Sequence, residues 1–290
     1  MTLATLNTAN FAEMAQAMGM GADMSSGSSK ASTLPRLRIW NSAVMGQVVV
    51  KGKVKNMEVL PSGMYRLQLP NDSFIYAEGA ELRVFVQRFM YKKYNSEERS
   101  YTKTIMAEDL KRDLKDNMGG FNCGKPAGYV EDFNALPEET KTLIRQVKRV
   151  RVLLGEVRLI NPVDVEGNEI EQDVSPFIWE IDNKDAFKTM GLPFSTMGRQ
   201  KRLPVQHWIK CGSEERSLPT GASFFLPTQE LNLSDNIELK EEDQQTFASF
   251  MEWIGNYNQY IVNTYNEKAI PVVSQDDATL VDEFIDIDGE

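Results

Sequence analysis

Two periods of hydrophobic patterning divide the chain. Across residues 34–230 the apolar positions fall mostly in short runs with the period of two that half-buried strands require. The folded part begins at Leu34-Pro-Arg-Leu-Arg-Ile-Trp40. Residues 47–55 read as a strand, with Lys51, Lys53 and Lys55 on one face. Pro61-Ser-Gly63 is a turn, and the clean alternation of residues 64–69 then predicts a hairpin. Another turn at residues 70–72 leads to a short strand at 73–77, and residues 81–94 carry the strongest strand pattern of the chain. Several short strands in about 50 residues predict a meander or small barrel.

Helical signals interrupt and close this pattern. Residues 107–116 read as a short charged helix, and residues 137–148 as a helix with acids early and bases late, matching the helix dipole. Strand character returns at 149–160 and 177–181, beyond a polar hairpin tip at 164–173. Asn183 is placed to cap a short helix closed by Gly191. Residues 204–210 and 221–226 read as strands separated by a polar stretch. Over residues 240–268 the period changes to that of a helix: Phe247, Phe250, Met251, Ile254, Tyr257, Ile261 and Tyr265 form one apolar stripe, and Pro271 ends it. The fold class is therefore α+β. It comprises an arm at 1–33, whose last ten residues have linker composition, a β-rich domain at 34–230 with an insertion at about 95–148, a C-terminal helix at 231–269 and a tail at 270–290 expected to be disordered.

Charge sharpens this division. The net charge of the 290 residues is -10, but residues 231–290 hold 14 acids against only Lys240 and Lys268. Residues 1–230 are thus slightly basic, and residues 34–115 carry 15 bases against nine acids. Seven of the acids crowd into residues 275–290 without any Lys or Arg, interleaved with Leu280, Val281, Phe284, Ile285 and Ile287. Like-charge repulsion disfavours packing there, while the apolar residues suit capture by a partner. No apolar run approaches the ~20 residues of a membrane span, the start does not read as an export signal, and two cysteines make no disulfide framework. A cytoplasmic setting is expected, and with it the host cytoplasm if the chain is phage-encoded.

Motifs for catalysis are weak. Gly119-Gly-Phe-Asn-Cys-Gly-Lys125 satisfies the glycine and lysine spacing of a phosphate loop, but Pro126 stands where Ser or Thr would hold magnesium, and no hydrophobic strand precedes it. The chain has only Cys123, Cys211 and His207 as soft metal ligands, too few for a structural zinc site. The same residues supply the types for a Cys–His nucleophile without a local signature, and the carboxylates stand in no cluster suited to a magnesium nuclease. No cofactor, metal or catalysis is expected.

Bases interleaved with aromatics are the best-supported chemistry. Arg88, Tyr91, Lys92, Lys93, Tyr94, Arg99, Tyr101 and Lys103 fall in one strand and the loop after it, with Phe85 and Phe89 expected on the core face of that strand. Arg36, Arg38 and Trp40 form a second concentration; Arg199, Lys201, Arg202 and Trp208 form a third; Lys148, Arg149 and Arg151 add charge. Cations that track phosphates beside flat side chains that stack on bases are what single-stranded nucleic acid needs. A protein that docks in an assembly through its C-terminal helix and tail is the alternative.

This layout, a basic aromatic β-rich body followed by an acidic tail, resembles that of the single-stranded-DNA-binding proteins of bacteriophages. The resemblance implies an OB-like small β-barrel core with helical insertions and a long C-terminal helix, and sequence-tolerant binding of single-stranded DNA in replication or recombination. It further implies that the tail competes with DNA for the groove and recruits replication or recombination proteins through Asp282, Glu283, Phe284, Ile285 and Asp286. Phe284, the hook on this reading, lies six residues before the end. Oligomer formation is compatible with the same layout. On this reading, deleting residues 275–290 tightens oligonucleotide binding at low salt, as a fluorescence titration would show; an unchanged affinity would exclude a competing tail.

Overall fold

The computed structural model describes residues 34–50, 53–126, 130–218 and 220–269, with the side chains of residues 48–50 excepted. The arm at 1–33 and the tail at 270–290, with all five residues expected to hold a partner, lie outside the described residues. In chain order the elements are β1 (Arg36–Ile39), β2 (Val44–Val50), β3 (Lys53–Leu60), β4 (Tyr65–Gln68), β5 (Phe74–Ala77), β6 (Gly79–Asn95), β7 (Ser100–Lys103), α1 (Glu138–Gln146), β8 (Lys148–Ile160), β9 (Ser175–Ile181), α2 (Lys184–Thr189), α3 (Leu192–Arg199), β10 (Ile209–Ser217), β11 (Ser223–Leu231) and α4 (Glu241–Lys268).

Nine strands join one sheet in the order β11-β10-β6-β8-β9-β1-β4-β5, with β7 on the far end of β6; β2 and β3 pair separately. Every pairing is antiparallel except β1 with β9, which meet at the single register Arg36↔Ile178. The sheet does not close, since β11 and β5 end the order. It curls instead. Ser213 Oγ donates to Gly63 O at 2.6 Å, Tyr65 OH to Gly212 O at 2.9 Å, and the Phe225 amide to Asn41 Oδ1 at 2.9 Å. Gly63 makes this contact possible. Its φ of +86° suits glycine, and a Cβ there would lie 2.4 Å from the Phe225 ring.

The central pair β6–β8 runs for most of both strands and contains one irregularity. Between Val84 and Val86 the register shifts, leaving Phe85 as an extra residue. Gly155 lies opposite; a Cβ there would sit 2.1 Å from Arg83 O, so the strands close up only around glycine. The bulge corrects the expectation that Phe85 and Phe89 share a face. Phe85 packs on Phe250 of α4, with centroids 5.8 Å apart, while Phe89 meets Phe187 of α2 on the other side.

Each side of the sheet has its own core. One comprises Leu37, Tyr65, Leu67, Leu82, Val84, Leu153, Phe177 and Trp179, covered by α2, α3 and the curled β10–β11 pair. The other comprises Val86, Met90, Val150, Val152, Leu154 and Ile178, covered by Phe250 and Ile254 of α4. The expected stripe is therefore used within the chain, although Phe247 is left 47% exposed. Asn258 fixes the helix laterally: its side chain accepts from the Met106 amide at 2.7 Å and donates to the Met106 carbonyl at 3.0 Å. Arg83 anchors its start through Asp243, 2.7 Å away, and also bonds Glu156 at 3.2 Å. Burying each large apolar side chain contributes ~1.5–3 kcal/mol. Phe250, Ile254 and Ile261 together therefore outweigh the single ion pair, which mainly sets where the helix begins.

Several sequence expectations change. Residues 47–55 are not one strand, because the chain turns back between Val50 and Lys53. Lys53 and Lys55 lie on β3, and Lys51 falls outside the described residues. β4 pairs with β1 and β5 rather than with the strand before it. Residues 107–116 form no helix: Asp109 accepts its own Lys111 amide and Asp116 binds amides beyond it, so side chains compete for the helical donors. Gly212 and the polar residues after it are strand, since their hairpin projects with Glu214 and Arg216 paired at its surface. Residues 204–206 are a 3-10 turn, and α3 was not foreseen; Pro193 occupies its first turn. Asn183 does cap α2, accepting from Asp185 and Ala186 amides.

The Arg83 bond draws the Asp243 carboxyl below its ordinary 3.8, against the upward pull of burial. A depressed folded value stabilises the fold above the unfolded value and is lost as pH falls through the folded one. Asp243→Asn should therefore lower the urea midpoint at about pH 7, and the gap to wild type should narrow toward about pH 3. A gap independent of pH would exclude the ionised tether.

Candidate nucleic-acid interface

Beyond the bulge, alternation along β6 places Val86, Arg88, Met90, Lys92 and Tyr94 on the α4 side and Phe89, Tyr91 and Lys93 on the other. Past the end of the α4 core, this side becomes polar. Lys92 stands opposite Lys103 of β7 and Lys148 of β8, and Tyr94 opposite Tyr101. The two tyrosine rings lie 5.0 Å apart at 57° and are 52% and 48% exposed. Lys92 Nζ lies 4.5 Å from the Tyr101 centroid.

Two acids from the end of β9 meet these lysines. Glu180 accepts from Lys103 at 3.0 Å and Lys92 at 3.5 Å, and Asp182 lies 3.5 Å from both Lys92 and Lys148. Burial pushes the Glu180 carboxyl up, but Lys103 and Lys92 outweigh it and hold the group below its ordinary value. Because β1 and β9 share one rung and then part, a cleft of ≈ 700 Å³ opens beside them. Arg36, Arg38, Lys92, Lys103, Lys148 and Tyr101 line it, with Phe224 and Phe225 of β11. Five bases face two acids there, so the cleft remains cationic.

Beside the cleft, outside its lining, β4 pairs with β1. Arg38 is the register partner of Arg66. The Arg66 guanidinium lies 3.5 Å from the Trp40 centroid and 4.6 Å from that of Phe74. Burial first, then Arg66 and Arg36, lower the Arg38 value, with Glu180 and Asp182 acting in the opposite direction.

Of the residues expected to bind, Arg36, Arg38, Lys92, Tyr94, Tyr101 and Lys103 come together here, and the others do not. Arg88 is on the same side but lies against α4, donating to Gln87 O and Met251 Sδ. Tyr91 is buried with Leu114, Cys123 and Val147, and Lys93 points to that same side. Arg149 stands opposite Tyr91, and Arg99 lies in the β6–β7 turn with φ 51°. Arg151 is buried on the opposite face among Phe89, Phe187 and Phe194, donating to Phe187 O and Gln87 Oε1; burial lowers its value to about 10. Arg199, Lys201 and Arg202 end α3 and its following turn, exposed, outside the cleft lining. Trp208 is stacked under Arg158, 4.1 Å away, and precedes Ile209, whose partner is Leu82. Ten strand positions separate Leu82 from Lys92, about 33 Å. Lys148, expected to add charge, does line the cleft, whereas Arg66, Glu180 and Asp182 were not among the expected binders. Arg66 had a signal in its alternation with buried Tyr65 and Leu67, but the two acids had none.

In the glycine-rich loop the amides of Met118, Gly120 and Cys123 all donate to the Asp116 carboxylate, at 2.9, 3.0 and 3.1 Å. The loop wraps an internal anion. His207 is buried off the strand with Nδ1 2.8 Å from Asp235 O, whereas Cys211 belongs to the Tyr65 core. Among the described residues no group of three or more His, Cys, Asp or Glu is placed to hold a metal, and no helix is long and apolar enough to cross a membrane.

Compared with family models, with curated proteins and with solved structures, the chain finds no match in any of the three.

Burial pushes both thiols up to about 12, with Asp116 adding to the effect at Cys123. Between the ordinary 9.0 and about 12 the thiolate falls ~1000-fold. At about pH 8 the native protein should therefore react with a disulfide reagent at least ~100-fold more slowly than the urea-unfolded chain. Rapid modification of either cysteine in the native state would reopen a nucleophilic role.

Proposed function

We propose that the protein binds single-stranded nucleic acid, DNA in phage replication or recombination, without strong sequence preference. The single observation that carries this reading is the exposed Tyr94–Tyr101 pair at the mouth of a cationic cleft. Two half-exposed rings in contact at a sheet surface offer a stacking platform worth ~1–3 kcal/mol per base, and every base has a π-face. Arg36 and Arg38 supply cations for phosphates, and Lys92, Lys103 and Lys148 are held in place by Glu180 and Asp182. The curled sheet is, on this reading, OB-like in layout though open on one side. The proposed work is binding rather than catalysis, in the host cytoplasm, with the acidic tail displacing the strand and recruiting replication or recombination proteins. Docking in an assembly through α4 is less favoured, because the apolar stripe of that helix already covers the sheet.

A labelled oligonucleotide titrated at two salt concentrations tests the proposal. Binding should weaken with salt, because each phosphate neutralised releases counterions. Tyr94→Ala and Tyr101→Ala should each weaken it about 5- to 100-fold. Glu180→Gln, which leaves Lys92 and Lys103 less neutralised, should strengthen it at low salt. Absence of binding at low salt by the chain lacking residues 275–290 would overturn the reading.

A further inference from the structure

The positive charge in and beside the cleft is not evenly compensated. Lys92, Lys103 and Lys148 each have a carboxylate within 3.5 Å. Among the described residues, no ion pair forms at Arg36, Arg38 or Arg66. Yet these three arginines are crowded. Arg38 and Arg66 are directly opposed on neighbouring strands, where side chains start ~5 Å apart and like charges destabilise the pair. Arg36, two residues from Arg38, projects from the same face.

Arg66 is the most costly of the three. It is only 8% exposed, and its Nε is buried without a hydrogen-bond partner. An uncompensated polar atom of this kind is disfavoured unless something else stabilises the arrangement. Trp40 and Phe74 hold the guanidinium by cation–π contact. Both rings are thereby engaged by a side chain of the protein. An arginine plane held this way is fixed in orientation before any anion arrives, which is how bidentate phosphate recognition is pre-organised.

We infer that Arg36, Arg38 and Arg66 form a phosphate-binding site that takes the backbone of a strand rather than its bases, with Trp40 and Phe74 acting as supports for Arg66. The nucleic-acid reading above supplies only the source of the phosphates; the site itself would accept any chain of phosphodiesters or a linear polyphosphate. Trp40 thus has a different part from the stacking expected of it in sequence. The ring platform and the phosphate site then divide the work, with Tyr94 and Tyr101 meeting bases and the arginines setting the path of the backbone.

Three probes test this on the full chain by calorimetry: a natural oligonucleotide, an abasic oligonucleotide that keeps the sugar–phosphate chain, and inorganic tripolyphosphate. Arg38→Gln is exposed and leaves the core untouched; Arg66→Lys keeps the charge but loses the planar fork. Wild type should bind the abasic chain, and each substitution should weaken it about tenfold, the loss of one charge-assisted bond. Arg38→Gln should also lower the salt slope by about 0.7, one phosphate on a single strand. If natural oligonucleotide binds and both variants keep wild-type affinity and slope for all probes, the arginine site is wrong and the nucleic-acid reading stands. If only tripolyphosphate binds, and the variants lose it, the site stands and the nucleic-acid reading falls. If neither wild type nor the chain lacking residues 275–290 binds any of the three at low salt, both are overturned.

Discussion

One extra residue in β6 decides what each side of this protein can do. Phe85 has no partner in β8, and Gly155 gives the strands room to close over the shift. Before the bulge, Leu82 and Val84 feed the core under α2 and α3; after it, Val86 and Met90 feed the core under α4. Everything downstream inherits that parity. Lys92 and Tyr94 emerge beside Lys103, Tyr101 and Glu180, while Tyr91 and Lys93 turn to the insertion. Without the bulge, the same seventeen residues would send the opposite half of their bases toward the cleft.

Charge on the cleft side is arranged in two regimes. Around β9, lysines and acids neutralise one another at 3.0–3.5 Å, so that these side chains are positioned more than they are available. Around β1 and β4, Arg36, Arg38 and Arg66 form no ion pair among the described residues, and Arg66 is steadied by the Trp40 and Phe74 rings. Arg151 shows that the second device is not tied to a surface role. Three phenylalanine rings and two acceptors accommodate it on the other face, where it is simply buried. Basic residues next to aromatics thus have two fates here, and only the sheet register tells them apart.

That is why the sequence disclosed the fold in part and the site by halves. The strongest signals were local. Alternation over residues 81–94, the stripe from Phe250 to Ile261 and the cap at Asn183 all found their elements. What failed depended on pairing. Nothing in residues 47–55 marks a reversal, and the separation of Phe85 from Phe89 needs Gly155, seventy residues away. Tyr91 and Tyr94 look equivalent in a list of aromatics, yet one is core and the other half exposed. Glu180 and Asp182 carry no pattern at all, since their effect arises only when β9 lies between β1 and β8.

The cover over the second core has a temporal side. The apolar face made by Val86, Met90, Val150, Val152, Leu154 and Ile178 is complete once Ile178 has been synthesised. Its lid, α4, is complete only at Lys268, ninety residues later. At about 5–20 residues per second, a growing chain carries that face uncovered for roughly 5–20 seconds. During this interval the β6–β8–β9 surface is open to neighbouring nascent chains, and any product that stops short of α4 keeps it so. The arrival of α4 therefore ends that exposure.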